Sequence, residues 1–560
     1  MSIKMPTYRV QNLYNICLNS IVCNVNFWLK LKKDHDKNGK KYSPFSVLPA
    51  SLEQELLDTY VRIHSLPDRY NFWLEHQEKW RLFITEHISR LAITDYTEKA
   101  SLLHIAATCR NLKYLDIKNV YEALPCLKTI APCLKTVVSL NFVTMAHINS
   151  TTLKYIRSHC PNLRFLGLRS CVLNDKALGH LKHINTLTEL DIRDTEVTAS
   201  GICLVLKHNP QLRSLHHPEV VRGLYKMHSS RTWLVRVESS LLSSTMMSYQ
   251  LRDIEFEISK KDHPGMLAVV VSSCPAIERV RVEVDASAPA DSLAPLAKLQ
   301  YLTELDVQCC GDSTHKGWDD PASAAINLFA CSIVPILEAR GRNLYAFTLE
   351  GIVSVDMQLI EHLCPNLVSL GLYYNSYLEE SFIIPEDLTL SKPFPGLRRL
   401  LFGSNSGDSD FPSEYLEWLL SNQDLEELSL SGSPLFNIEL FNNAFANSSA
   451  YPNLRRLELD YCNVTADVII EFLYHCGRKS LRELSICGPF VREQAAPSLC
   501  YILCEKLDVQ LEAYFYSFVK LKKRLVRYKQ DLTCISSELD MISLHNNFDH
   551  CRLIEFIDPN

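Results

Sequence analysis

The sequence predicts an α/β solenoid, because one apolar pattern, leucine-x-x-leucine-x-leucine with aliphatic substitutes, recurs along most of its 560 residues. Its starts fall at Leu112, Val137, Leu163, Leu187, Leu212, Leu251, Ile277, Leu302, Leu344, Leu367, Leu397, Leu425, Leu454 and Leu481, mostly 23–30 residues apart. Two segments, HCPNLRFLGLRSC from His159 and LCPNLVSLGLYYN from Leu363, are near copies of one another. A chain that is 47% hydrophobic and 22% charged has the apolar material for a large core.

A period of this length with this pattern is a leucine-rich repeat. Each unit supplies a short strand with inward leucines, a turn, and a helix on the outer side; neither element buries its apolar face alone, so neighbouring units stack into a curved horseshoe. In LRFLGLRSCVLNDKALGHL and LRRLELDYCNVTADVIIEFL a cysteine, Cys171 or Cys462, stands three positions after the last strand leucine, which marks the cysteine-containing subtype. The recurring CPNL has a mechanical reading: a helix ends near the cysteine, proline stops it, and leucine opens the next strand. Cys160, Cys274 and Cys364 are thereby core residues, not redox or metal groups. The larger gaps after Leu212 and Leu302 read as insertions.

Between the strand leucines, alternate residues point to the concave wall. There Asp253, Glu255 and Glu257 precede Arg279 and Arg281, followed by Glu304 and Asp306, so rows of opposite charge stack side by side. Asp253, Glu255, Arg279, Arg281, Glu304 and Asp306 are the candidate substrate-binding residues of that wall.

Charge and motif content exclude several functions. A net charge of −6 and a pI near 6.4 give no basic excess for nucleic acid or an anionic membrane. No stretch is long and apolar enough to span a bilayer, and no signal peptide opens the chain. Twenty cysteines without paired C-x-x-C spacing suit small buried hydrophobes in a reducing compartment, cytoplasmic or nuclear. No P-loop, dinucleotide fingerprint, G-x-S-x-G or H-E-x-x-H is present, and His180 and His183 fall in ordinary repeat segments. No catalytic residue, metal or cofactor is expected.

Residues 1–100 stand outside the repeat, residues 101–490 form the solenoid, and residues 491–560 read as a short helical cap. In NLYNICLNSI, Leu13, Cys17 and Ile21 lie four apart and make one helical stripe with Ile16 beside it. Further on, FSVLPASLEQELLDTY has Pro49 at a helix start and an apolar face of Leu52, Leu56 and Leu57.

The first of these segments (12–21) resembles the BC box that engages elongin C. The second (48–57), through Leu48, Pro49, Leu52 and Leu56, is similar to a cullin-2 box; the cullin-5 version carries a second proline where Ala50 and Ser51 stand here. The order of the boxes and the repeats resembles the Zyg-eleven (ZYG) family of cullin-RING ligase receptors. The resemblance implies a non-catalytic substrate receptor that binds elongin B/C through Leu13, Cys17 and Ile21, and cullin-2 through Leu48, Pro49, Leu52 and Leu56. Residues after Leu481 read as one or two helices, too short for the armadillo-type domain of that family, so its recognition of glycine degrons is not carried over. Two alternatives remain. LPASLEQELLDTY also looks like the start of an F-box, with Trp73 and Trp80 in its later helices, which would bring Skp1 and cullin-1 instead. The other is a protein-binding scaffold with no ligase connection, in which residues 1–60 cap the first repeat.

Overall fold

The computed structural model describes residues 17–18, 20–36, 44–45, 48–64, 78–94, 97–120, 122–143, 147–228, 248–310, 327–378, 380, 382, 394–404, 411–431, 439–440, 451–460, 462, 483–487 and 512–515. Both insertions foreseen after Leu212 and Leu302 lie largely outside them, as do Leu13, Ile16, Trp73 and the segment after Phe515.

The described residues form sixteen strands: β1 Arg90–Thr94, β2 Tyr114–Lys118, β3 Ser139–Val143, β4 Phe165–Gly167, β5 Glu189–Asp191, β6 Ser214–His216, β7 Asp253–Ile258, β8 Arg279–Asp285, β9 Glu304–Cys310, β10 Ala346–Glu350, β11 Ser369–Tyr373, β12 Arg399–Gly403, β13 Glu427–Ser431, β14 Arg456–Asp460, β15 Glu483–Cys487 and β16 Glu512–Phe515. Strands β2 to β15 each begin two residues after one of the fourteen predicted starts. The physical reason is visible in the burial. The starting residues from Leu112 to Leu454 are at most 1% exposed and pack in the turn before the strand, while the next two apolar residues of the motif point inward from the strand itself. This is an α/β leucine-rich repeat solenoid.

Two compact units divide the chain. The larger comprises Ser20–Tyr60 and Arg69–Val353; the smaller comprises Met1–Asn19, Val61–Asp68 and Ser354–Asn560. In the larger unit β1 to β10 pair in chain order, every neighbour parallel. In the smaller, β11 to β16 do the same. The repeats thus begin at β1, inside the stretch read from sequence as an N-terminal helical region ending at residue 100. Ile88, Leu91 and Ile93 carry the repeat spacing there and are all buried. At the other end β16 falls within 491–560, the stretch expected to be helical.

Among the described residues, helices pack on one face of the strands, and most strand residues of the other face are exposed or half-buried. Four of the helices start on side-chain caps: Asn149, Asn174, Thr198 and Asp356 accept the backbone N–H of Thr152, Ala177, Ser200 and Leu359. The ends at Cys160, Cys274 and Cys364 follow the CPNL reading, and Cys109, before Arg110, ends its helix in the same way without the proline. Cys109, Cys160, Cys274 and Cys364 close the helices Lys99–Thr108, Ser150–His159, Met266–Ser273 and Met357–Leu363, each donating its N–H to the carbonyl four residues back. All four thiols are buried, and that burial pushes them up to about 12, so none is a thiolate at neutral pH. No helix among the described residues is long and apolar enough to cross a membrane.

The outer edge of β1 is closed by the helix Ala50–His64. In a parallel ladder, alternate residues turn both backbone groups the same way, and Arg90 turns its pair outward. The Gln54 amide meets both groups: Oε1 accepts the N–H of Ser89 and of Arg90, each at 3.0 Å, and Nε2 donates to the Arg90 carbonyl at 3.0 Å. Higher up, the N–H of Thr94 donates to Thr97 Oγ1 at 3.1 Å. An exposed row of unpaired strand groups invites edge-to-edge association, and these side chains remove most of it.

Candidate functional site

The structure offers two surfaces for the expected roles, one on the N-terminal helices and one on the open face of the larger sheet. On the first, residues 17–18 and 20–23 are helical. Leu18, Val22 and Val25 are buried, so one face of this region serves the chain's own packing. Cys17 and Ser20 are exposed, as are Asn24 in the turn that follows and Phe27, at 59%, in the next helix, Val25–Asp36. Ile21 is half-buried, and its carbonyl accepts Trp28 Nε1 at 3.1 Å. Of the three residues expected to meet elongin C, Cys17 is thus open and Ile21 partly so, while Leu13 lies outside the described residues.

The four residues expected to meet cullin-2 divide differently. Pro49 is exposed, and its carbonyl opens the helix by accepting the N–H of Leu52 and Glu53 at 2.9 and 3.1 Å. Leu48 and Leu52 are half-buried. Leu56 is fully buried and belongs to the chain's own core, together with Leu57 and Tyr60. Tyr60 stacks on Phe83 with ring centres 4.7 Å apart, and Phe83 on Phe45 at 5.1 Å. Glu53 is also buried, which an unpaired carboxylate does not tolerate. Thr85 Oγ1 donates to it and His87 Nδ1 lies 3.2 Å away. The inward face of this helix is therefore a cap, and its outward face holds Pro49, Ala50, Ser51, Glu55 and Asp58. Trp80, assigned to a later helix in the F-box alternative, is buried beside Leu82 and Phe83 in the same region.

On the second surface the six predicted wall residues all share the open face, in two rows fixed by register. Asp253, Arg279 and Glu304 are neighbours in one row, and Glu255, Arg281 and Asp306 in the next. The rows pair internally. Arg279 Nε lies 3.1 Å from Asp253 Oδ2; Arg281 reaches Glu255 Oε2 at 2.9 Å on one side and Asp306 Oδ2 at 3.0 Å on the other. The ladder extends to residues the sequence reading did not single out. Arg193 spans from Asp191 at 2.7 Å to Glu255 at 3.1 Å, and His216 Nε2 stands 3.3 Å from Asp253 Oδ1. Asp191 and His216 occupy the same strand positions as the predicted wall residues, so the signal that would have found them was positional.

Electrostatics along the ladder follow from these pairings. Burial alone would raise the Asp191 carboxyl, but Arg193 outweighs it and holds the group below its ordinary value. The same contest at Asp253, between burial and its His216 and Arg279 partners, also ends low. At Asp306 burial wins over Arg281 and the carboxyl is raised. Glu283 and Glu350 are raised as well, first by desolvation, then by repulsion from neighbouring carboxylates: Glu255 and Glu257 for the former, Asp306 and Glu283 for the latter.

The raised pair gives a pH prediction. A carboxyl whose folded pKa lies above its unfolded value destabilises the fold once both states are ionised, and this penalty vanishes when both are protonated. The double variant Glu283→Gln/Glu350→Gln should therefore melt on the order of a degree or two above wild type at pH 7. The gap should close as pH falls through the raised pKa values toward 4.5, the ordinary glutamate value. A melting series by circular dichroism checks it; a gap that is negative at pH 7 or widens in acid contradicts it.

No protein-family profile and no curated protein sequence matches the chain. Among solved structures it is similar to an internalin from Listeria monocytogenes, with 15% identity over 68% of this chain and 88% of that one, and a TM-score of 0.33. A leucine-rich repeat protein of Leptospira interrogans shares 16% identity over 76% of this chain and 94% of its own, at a TM-score of 0.29. The mouse RP105/MD-1 complex shares 13% over 79% and 71%, at 0.34.

Proposed function

We propose that this chain is a non-catalytic substrate receptor of an elongin BC–cullin-2 ubiquitin ligase, acting in the cytoplasm or nucleus. Its leucine-rich repeats bind the substrate protein. The observation that carries the adaptor half is the helical segment around Cys17, where Leu18 is buried and Cys17 is exposed. In this reading Leu13, Cys17 and Ile21 fill the elongin C groove, a burial worth on the order of 4–8 kcal/mol before association costs. Pro49, with the half-buried Leu48 and Leu52, supplies the cullin-2 contact. Leu56 takes no direct part in it. The receptor contributes proximity: substrate held on the open sheet face is presented to the charged ubiquitin carrier at high effective concentration.

The test is co-expression of the full chain with elongin B and C, followed by affinity capture. Wild type is expected to retain both, and Leu13→Ser/Cys17→Arg to lose at least about tenfold of the captured elongin, since an arginine cannot enter an apolar groove without an acceptor. Failure of the wild type to retain elongin B/C, or equal retention by the variant, rejects the adaptor role. Capture of Skp1 and cullin-1 in their place decides for the F-box alternative.

One observation favours a second reading. Glu53, Gln54 and Leu56 commit the helix Ala50–His64 to closing the β1 edge. A scaffold that binds proteins through its repeats and uses residues 1–60 only as a cap has the same feature. That reading predicts no cullin capture with either adaptor.

A further inference from the structure

Building on the reading that the open sheet face is the docking wall, we infer that its occupant is an extended basic segment of a partner protein, one that presents several arginines or lysines along β7 to β10. From β5 to β10 the open-face positions carry ten carboxylates against three arginines, counting Arg193. That excess of seven is larger than the net −6 of the entire chain. The arginines are also spoken for: Arg193, Arg279 and Arg281 are each held by carboxylates of the same face. Beyond them Arg222 lies 4.0 Å from Glu257 and His216 3.3 Å from Asp253, which leaves Glu283 and Glu350 without a cation among the described residues.

That surplus has a direction. Glu257, Glu283, Gln308 and Glu350 are neighbours in register, one per strand, at the end of the ladder. Three inter-strand steps span about 14 Å, too long for one cation and suited to a chain crossing the strands with several. Glu283 is exposed, and neither it nor Glu350 has a cationic partner among the described residues. Beside them Asp306 gives Oδ2 to Arg281 and has the Gln308 amide next to its carboxylate, while its Oδ1 is shut off from water. A guanidinium or ammonium arriving at Glu283 and Glu350 meets carboxylates that no other cation holds, and forms charge-assisted hydrogen bonds with them. The Glu283 and Glu350 carboxyls are raised first by burial and then by this crowding of like charge. A bound metal ion fits less well, since among the described residues no three ligating groups converge on one point.

The experiment uses the full chain and two fluorescein-labelled peptides. One carries four arginines at alternate positions with glycine and serine between them; in the other the arginines are glutamines. Fluorescence anisotropy should give at least about tenfold tighter binding of the arginine peptide at low salt, narrowing as salt is added. Glu283→Gln/Glu350→Gln should lose about tenfold, whereas Glu122→Gln/Glu414→Gln, which removes two exposed carboxylates elsewhere, stays within about twofold. Equal binding of the two peptides, or equal affinity of the wall variant and wild type, or an equal loss in the control variant, overturns the inference. Elongin B/C capture measured on the same proteins separates the two readings: peptide binding that fails while capture persists sinks only the basic-segment inference.

Discussion

Gln54→Leu is expected to lower the stability of the larger unit by about 2–3 kcal/mol and to make the chain self-associate. The leucine fits the volume of the glutamine, so packing changes little. The loss is polar. Ser89 N–H, Arg90 N–H and the Arg90 carbonyl all lose their partner at once, in a site where Leu56 and Leu57 of the same helix are buried and water access is restricted. An orphaned backbone group in such a place costs about 1 kcal/mol or more. The open groups would also present β1 as a template for another strand. Denaturant unfolding and light scattering measure both effects, with Ser51→Ala on the outward face of the same helix as control. A Gln54→Leu protein within about 0.5 kcal/mol of wild type would show that the edge is satisfied by other means.

The repeat ladder was legible because its signal is redundant. Each motif start from Leu112 to Leu454 is a nearly inaccessible residue, and burying an aliphatic side chain there yields about 2 kcal/mol per repeat, so selection for stability writes the period into the sequence. β1 was missed although Ile88, Leu91 and Ile93 keep the spacing, because its neighbour on one side is a helix, not another repeat. The wall residues were found through strand alternation, and their pairing followed from the opposite signs of adjacent rows. What alternation alone cannot supply is a long side chain's reach. Arg193 follows β5 by two residues, yet meets Glu255 across a gap of 62 residues in the sequence. The role of Leu56 was hidden for a related reason. An apolar helix face reads the same whether a partner or the chain itself covers it, and only the tertiary contact of Gln54 with β1 tells the two apart.

Removing Arg193 should have the second large effect, because it takes one cation from two carboxylates. Arg193 is 21% exposed, and its partners Asp191 and Glu255 are 14% and 12% exposed, so solvent compensates poorly for its loss. Breaking a fully buried pair costs about 3–5 kcal/mol; with partial exposure, and with His216 and Arg281 still beside the two acids, Arg193→Ala should cost about 2–3 kcal/mol at pH 7. The pH dependence has a definite sign. Asp191 sits below its ordinary value of 3.8 in the folded state, so its contribution is present above that value and is lost as pH falls through the lower folded pKa. The difference between Arg193→Ala and wild type should therefore be wide at neutral pH and shrink in acid below 3.8. Arg193→Lys keeps the charge but not the fork that meets Asp191 and Glu255 together, and should recover about half of the loss. Urea unfolding at several pH values decides it, and a gap that ignores pH would mean Arg193 acts through packing. A pH-dependent gap would instead identify the arginine as the brace that holds Glu255 and Arg281 in register, and with them the acidic row beyond.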